Sequence, residues 1–169
     1  LFYPNIARSV KAPRSKKGFL KSPLSSEQVT ELLDYLKKQS LRNYAIVNLI
    51  LRTGLRTIEV SRLDVKDISF KRGKRVLRIW GKGMTDKEAI VILNDPAWEP
   101  IKAYLATRME VKKSDPLFLT DGKGHRGARL STRSVQDICK QALRAIGLDS
   151  HEFSAHSLRH TTGCLILKS

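Results

Sequence analysis

The chain has 169 residues, which is the size of one domain with a substantial core, and 41% of them are hydrophobic, as in most soluble globular proteins. Its 32 Lys and Arg residues outnumber 16 Asp and Glu residues, so the net charge is +16. This charge is spread from end to end, which predicts a polyanionic partner, nucleic acid before an acidic membrane surface. The sequence contains no stretch typical of a membrane span or a signal peptide, so we expect no membrane partner and a cytoplasmic location.

The first part of the chain differs from the rest. Residues 1–22 carry two prolines and a basic cluster at 14–17 but no helical or strand periodicity, which is typical of a linker. We therefore expect an interdomain linker over 1–22, preceded in the intact protein by a further domain, and one folded domain over 23–169. The two cysteines, Cys139 and Cys164, are far apart and form no Cys-x-x-Cys motif, so we expect reduced, buried thiols.

Helical periodicity covers most of the second segment. Ser25 and Gln28 fit a capping box, and Gly54 is well placed to end a largely buried helix. Asp95 and Pro96 have the pattern of a polar cap followed by a proline in the first helical position. Together with similar signals further on, these residues predict helices over about 26–38, 42–53, 95–110 and 132–146, and from 155 onward.

Between 67 and 93 the periodicity changes to that of strands. Segments 75–80 and 89–93 are rich in β-branched and other apolar residues, and a shorter third segment covers 67–70. The connection 81–86 places Lys82 between two glycines at a hairpin tip. The sequence therefore predicts a mainly α fold with a small three-stranded antiparallel sheet, an α+β class.

The stretch 155–162, Ala-His-Ser-Leu-Arg-His-Thr-Thr, concentrates side chains that suit an anion. On a helix, His156, Arg159 and His160 lie on one face because they are three and four positions apart. Two imidazoles beside a guanidinium form a donor-rich surface with no neighbouring acid. Such a surface suits a phosphate, because it offers a flat fork of N–H donors and a group that moves protons near neutral pH.

Three motifs in order resemble the catalytic domain of the tyrosine recombinases, a family that includes phage-type integrases, transposon integrases and Xer-type recombinases. The motifs are Thr53-Gly54-Leu55-Arg56-x-x-Glu59, Gly81-Lys82-Gly83 in a β-turn, and His156-x-Leu158-Arg159-His160. Each motif alone is weak, but three in this order, with intervening helix and hairpin patterns that agree, are specific. The resemblance implies site-specific DNA recombination, with integration or excision of a mobile element, through a 3′-phosphotyrosine intermediate.

The resemblance also implies roles for individual residues. Arg56 and Arg159 would stabilise the charge that builds on the oxygens of the scissile phosphate. Lys82 would protonate the departing 5′-oxygen, and His156 would assist the nucleophile's proton or hold a phosphate oxygen. Lys87 is the alternative to Lys82, because a second basic residue follows the Gly-Lys-Gly less closely here than is usual in the family.

A metal site at His156 and His160 is the sharper alternative to these roles. The pair lacks the adjacent glutamate of a His-Glu-x-x-His site, has no obvious third ligand, and would seat the guanidinium of Arg159 beside the cation. We therefore expect no metal and no cofactor, and we expect His160 to be a structural histidine that is hydrogen-bonded in the core.

The nucleophile is the part that the chain lacks. Tyrosine recombinases carry a further His or Trp and then the nucleophilic tyrosine beyond the Arg159 motif, whereas the tyrosines here all precede it: Tyr3, Tyr35, Tyr44 and Tyr104. The resemblance thus implies a catalytic domain without its C-terminal segment, inactive in cis. Double-stranded DNA and further recombinase protomers, as a tetramer on DNA, are the implied partners. A catalytically inactive DNA-binding module is the alternative from another class, and a type IB topoisomerase is a more distant one.

Overall fold

The computed structural model describes residues 21–80, 87, 89–121 and 127–166, with the side chains of 164–166 excepted. Over these residues the predicted class, mainly α with a three-stranded antiparallel sheet, is confirmed. The strands are β1 (Ile68–Lys71), β2 (Lys74–Ile79) and β3 (Ala89–Ile92). The helices are α1 (Ser26–Gln39), α2 (Leu41–Thr53), α3 (Thr57–Ser61), α4 (Asp95–Ala106), α5 (Thr132–Ala145) and α6 (Ala155–Ile166), with a 3-10 turn at Val65–Asp67.

Helix α2 forms the centre of the domain. Every residue from Ala45 to Leu51 is buried, so this helix is surrounded on all sides rather than packed along one apolar stripe. It packs against α1, α4 and α6. At its end Gly54 adopts a φ of 67°, a left-handed conformation that glycine reaches without steric cost. This ending turns the chain directly into α3.

The sheet is a meander in which β1, β2 and β3 pair antiparallel in chain order. Arg72 and Gly73 both have positive φ, so the β1–β2 connection is a two-residue hairpin turn that matches the twist of the strands. Leu77 in the central strand is fully buried and pairs with Ile68 and Val91 on its two neighbours. This face of the sheet therefore joins the helical core.

The prediction for α4 needs correction in its N-cap residue and in its C-terminal bound. Asn94, not Asp95, is the N-cap, since its side chain accepts a hydrogen bond from a backbone N–H in the first turn. The helix ends at Ala106 rather than near residue 110. Beyond that point the chain turns back, and the Arg108 guanidinium donates to the Pro116 carbonyl (3.0 Å), an interaction with a later segment that no local pattern predicts.

Some predictions lie outside the described residues: most of the linker 1–22, and the hairpin connection 81–86 with Lys82. Among the described residues, no helix has the length and apolarity needed to cross a bilayer. Cys139 is buried, as predicted, and this burial raises the pKa of its thiol to about 12.

Candidate functional site

Arg56 lies at the corner between α2 and α3, and Glu59 holds it there. The Glu59 carboxylate accepts hydrogen bonds from the Arg56 backbone N–H (2.6 Å) and from Nη1 of its guanidinium (2.8 Å). The first contact also caps the start of α3, because Glu59 is the third residue of that helix. The carboxylate is buried, at 9% exposed, whereas the Arg56 side chain is 50% exposed. One edge of the guanidinium is therefore anchored and the rest is open to a ligand.

Helix α6 presents the second set of predicted residues. The Ser154 hydroxyl accepts a hydrogen bond from the His156 backbone N–H (3.3 Å) at the start of the helix. The rings of His156 and His160 meet edge to face with centroids 5.1 Å apart, so both lie on the face that their spacing predicts. Both residues are exposed. The prediction that His160 lies in the core is therefore wrong, and the core-facing side of α6 carries Leu158, which is fully buried.

Tertiary packing brings Arg56, His156 and Arg159 to the wall of one open pocket of about 580 Å³. The first residue comes from the α2–α3 corner and the other two come from α6. Helix α5 forms part of the same pocket with polar side chains that the sequence analysis did not single out: Thr132, Arg133, Gln136, Asp137 and Lys140.

The pocket is cationic along α6. In the described part of the chain, no hydrogen bond or ion pair engages the Arg159 guanidinium. The acid on the α5 wall, Asp137, is already paired with Arg133 (3.1 Å). Partial desolvation of the ring, followed by the positive charges of His160 and Arg159, lowers the pKa of His156 below its ordinary value. The lowered pKa favours the neutral ring, which is the form able to accept a proton.

Lys82 lies outside the described residues, but its alternative, Lys87, is described and engaged. The Lys87 ammonium donates to the Arg62 carbonyl (2.8 Å) and to the carboxylates of Asp64 (3.2 Å) and Asp67. Its side chain is 14% exposed. An ammonium has three N–H donors, and three protein oxygens occupy them, so none is left for a DNA oxygen in this arrangement.

Asp64 is the centre of this second charge cluster, because Arg129 pairs with it as well. Partial burial raises the pKa of Asp64, but the hydrogen bonds and charges of Arg129 and Lys87 outweigh that effect and hold the pKa below its ordinary value. Arg129 also donates to the Leu63 carbonyl (3.0 Å), which ties the chain before α5 to the end of α3. No local pattern predicts this cluster, since its members come from three separate segments; the spacing of Asp64 and Asp67 was the available signal.

The arrangement suits a phosphate better than a cation. Within the described residues, no group of three His, Cys, Asp or Glu side chains is placed to hold a metal ion. Two guanidinium groups from different elements and an imidazole line the same pocket instead, and these are groups that suit the oxygens of a phosphate. Fold and site together define a basic, mainly helical domain with a phosphate-receptive pocket.

Residues 23–169 match the family model described as the phage integrase family. Because the match covers most of the chain, the chain belongs to this family. A curated relative is the tyrosine recombinase XerC of Actinobacillus pleuropneumoniae serotype 7 (strain AP76), which is 34% identical over 168 residues. The aligned part is 98% of this chain and 52% of XerC.

Solved structures with the same fold are also recombinases. The XerH site-specific recombinase, bound to palindromic difH substrate in a post-cleavage complex, superposes with a TM-score of 0.73 at 26% identity, covering 92% of this chain and 45% of XerH. The Tn1549 transposon integrase in complex with transposon right end DNA has a TM-score of 0.66 at 18% identity, covering 88% of this chain and 54% of the integrase. The chain thus spans about half the length of the proteins that it matches.

Proposed function

We propose that this chain is the catalytic domain of a site-specific DNA recombinase that cleaves and rejoins DNA through a 3′-phosphotyrosine intermediate. The shared pocket carries the proposal: Arg56 and Arg159, which are distant in sequence, face one cavity beside His156, whose pKa is lowered. A net charge of +16 suits double-stranded DNA as the substrate. The relatives support this reading, because XerC is named as a tyrosine recombinase and the XerH structure contains a DNA substrate.

In the proposed reaction, a tyrosine hydroxyl attacks the scissile phosphorus, the bond to the 5′-oxygen breaks, and the phosphotyrosine bond retains the energy for rejoining. The guanidinium groups of Arg56 and Arg159 neutralise charge on the non-bridging oxygens. His156, whose pKa is lowered by partial desolvation and then by its positive neighbours, takes the tyrosine proton or holds a phosphate oxygen. Lys82 delivers a proton to the 5′-oxygen. We prefer it to Lys87 because two carboxylates and a carbonyl already occupy the Lys87 ammonium.

Among the described residues, no tyrosine lies in this pocket. Tyr104 is buried, its hydroxyl accepts a hydrogen bond from the Leu119 N–H (3.2 Å), and its ring stacks on Phe118. Tyr35 and Tyr44 lie on α1 and α2 away from the pocket wall. We infer that the nucleophilic tyrosine is none of these three described residues.

The proposal extends to the setting of the reaction. The complete recombinase would act as a tetramer on DNA in the cytoplasm, and its substrate would be the ends of a mobile element. The fold shared with a transposon integrase supports that substrate. Recombination in vitro between the DNA ends that flank the gene would test it, and failure on those ends with success on an unrelated chromosomal site would overturn it.

Covalent trapping on nicked DNA tests the catalytic assignment, with the protein extended in its reading frame to a tyrosine beyond α6. Arg56→Ala and Arg159→Ala should each abolish the protein–DNA adduct while DNA affinity falls by no more than about tenfold, because many other phosphate contacts remain. Arg52→Ala is the matched control, since Arg52 is an exposed arginine in the last turn of α2 outside the pocket. Adduct at wild-type levels in either pocket variant would refute the assignment.

A catalytically inactive DNA-binding module is the second candidate, and the lack of a tyrosine in the described part of the pocket favours it. Such a module would form no adduct that survives denaturation, even in the extended protein, and its binding would weaken steeply with salt. A type IB topoisomerase would relax supercoiled DNA without a defined site, whereas a site-specific recombinase requires one.

A further inference from the structure

A buried side chain of helix α6, Thr162, lies within hydrogen-bond distance of carbonyls at the end of α2. Its hydroxyl oxygen lies 2.9 Å from the Leu51 carbonyl oxygen and 3.1 Å from the Ile50 carbonyl oxygen, and 3.3 Å from the carbonyl of Leu158 in its own helix. The residue is 6% exposed. The last carbonyls of a helix lack an intrahelical N–H donor, so a hydroxyl from a neighbouring element is a suitable partner for them.

The methyl group of Thr162 faces the corner that follows α2. A Cβ atom placed on Gly54 would lie 3.6 Å from the Thr162 Cγ2 atom, which is ordinary van der Waals contact. Gly54 itself donates its N–H to the Ile50 carbonyl (2.8 Å). The Thr162 hydroxyl therefore contacts the last turn of α2, and its methyl faces the left-handed end of that helix, two residues before Arg56.

The position of Thr162 in α6 connects this contact to the pocket. Arg159 lies three residues earlier in the same helix, at an axial distance of about 4.5 Å. A shift of α6 by one residue along α2 would move Arg159 by about 1.5 Å along the axis and rotate it by about 100°, away from the pocket. The contact between Thr162 and the end of α2 thus constrains the position of α6, which carries Arg159, relative to the corner that carries Arg56.

We propose that Thr162 is a positioning residue that sets the placement of Arg159 relative to Arg56, so that both guanidinium groups meet one phosphate. The inference rests on the proposed function, because it needs a phosphate shared by the two arginines. Thr162 itself touches neither the phosphate nor the reacting atoms.

Thr161 provides a matched control within the same helix. Its hydroxyl accepts a hydrogen bond from the Leu24 N–H (2.9 Å) and donates to the Ser157 carbonyl (2.8 Å), and the residue is fully buried. It therefore attaches α6 to the segment before α1 and not to the Arg56 corner. Thr161→Val removes a buried hydroxyl from the same helix, as Thr162→Val does, so it reports the general cost of that change.

The experiment titrates the 169-residue chain with inorganic phosphate while NMR follows the Nε–Hε signals of Arg56 and Arg159. In the wild type, both signals should shift along one binding curve. Thr162→Val should weaken phosphate binding by about tenfold, as expected when one of two charge-assisted contacts is lost, and the two signals should follow separate curves. Thr162→Ser keeps the hydroxyl and should retain the common curve. Thr161→Val should lower thermal stability, but both arginine signals should still follow one binding curve.

The results of this titration distinguish a failure of the proposed role of Thr162 from a failure of the proposed phosphate site. A wild-type chain in which neither arginine responds to phosphate would overturn the shared phosphate site, and the inference with it. A common, wild-type curve in Thr162→Val would overturn the inference alone. If the valine variant does not fold, Thr162→Ala removes the hydroxyl without placing a methyl against the carbonyls. Separate binding curves for Arg56 and Arg159 in this variant would then support the role of Thr162, and a common, wild-type curve would overturn it.

Discussion

Replacing Asp67 with asparagine should destabilise the domain, because it removes a charge that balances Lys87. Asp67 is 1% exposed. One carboxylate oxygen accepts hydrogen bonds from the Asp64 N–H (2.7 Å) and from the Lys87 ammonium. The other oxygen is buried and has no hydrogen-bond partner among the described residues. An asparagine of the same shape can keep its oxygen on the two donors and place its amide at the unpartnered position. The substitution therefore removes the charge and also leaves buried N–H donors without a partner, and both effects lower stability.

The burial of the partners sets the size of the effect. Removing one member of a buried ion pair costs about 3–5 kcal/mol when the other charge is left uncompensated. Here Asp64 remains 3.2 Å from the Lys87 Nζ atom and Lys87 is 14% exposed, so the loss should be smaller, about 2–3 kcal/mol. For a domain of this size, that loss lowers the melting temperature by roughly 4–12 °C. Adding Lys87→Met should recover part of it, with a coupling energy of about 1–2 kcal/mol.

Thermal melts and urea titrations at pH 7, followed by circular dichroism, measure these quantities. Asp137→Asn is the control, since Asp137 forms an exposed pair with Arg133 four residues away in α5, and losing such a pair costs about 0.5 kcal/mol or less. The reasoning fails if Asp67→Asn lowers stability no more than this control does. It also fails if the effects of Asp67→Asn and Lys87→Met simply add.

Three further predictions follow from single residues. Because the pKa of Asp64 is lowered in the folded state, the stability that this carboxylate contributes is complete above its unfolded pKa and is lost as the pH falls through its folded pKa. The urea midpoint of the wild type should therefore drop below about pH 4, and that of Asp64→Asn should drop less. Gly54→Ala should cost about 1 kcal/mol through left-handed strain rather than a clash, and the same urea titration measures it. With a pKa of about 12, the buried Cys139 thiol should resist iodoacetamide in the native protein and react with it in urea. Mass spectrometry of the peptides would locate the alkylated cysteine, and alkylation of Cys139 in the native chain would contradict this prediction.

Local patterns were sufficient for the type and order of most elements. The Ser25–Gln28 capping box begins α1 as predicted, with both reciprocal hydrogen bonds present, and Gly54 ends α2 in the left-handed conformation. These features involve contacts within a few residues, which a sequence window contains. The end of α4 was mispredicted for the converse reason, because the bond from Arg108 to the Pro116 carbonyl links it to a segment beyond the helix.

In the candidate site, too, sequence spacing predicted some features and long-range packing decided the others. Motif order and helical spacing identified Arg56, His156 and Arg159, and the structure places all three on one pocket wall. The environment of each side chain depended on long-range packing. Seating Leu158 against the core leaves His160 in solvent, and the return of the chain after β2 buries Lys87 between two carboxylates. Spacing along a chain decides which face a residue occupies, whereas burial, charge partners and pKa depend on elements that are distant in sequence and meet only when the core forms.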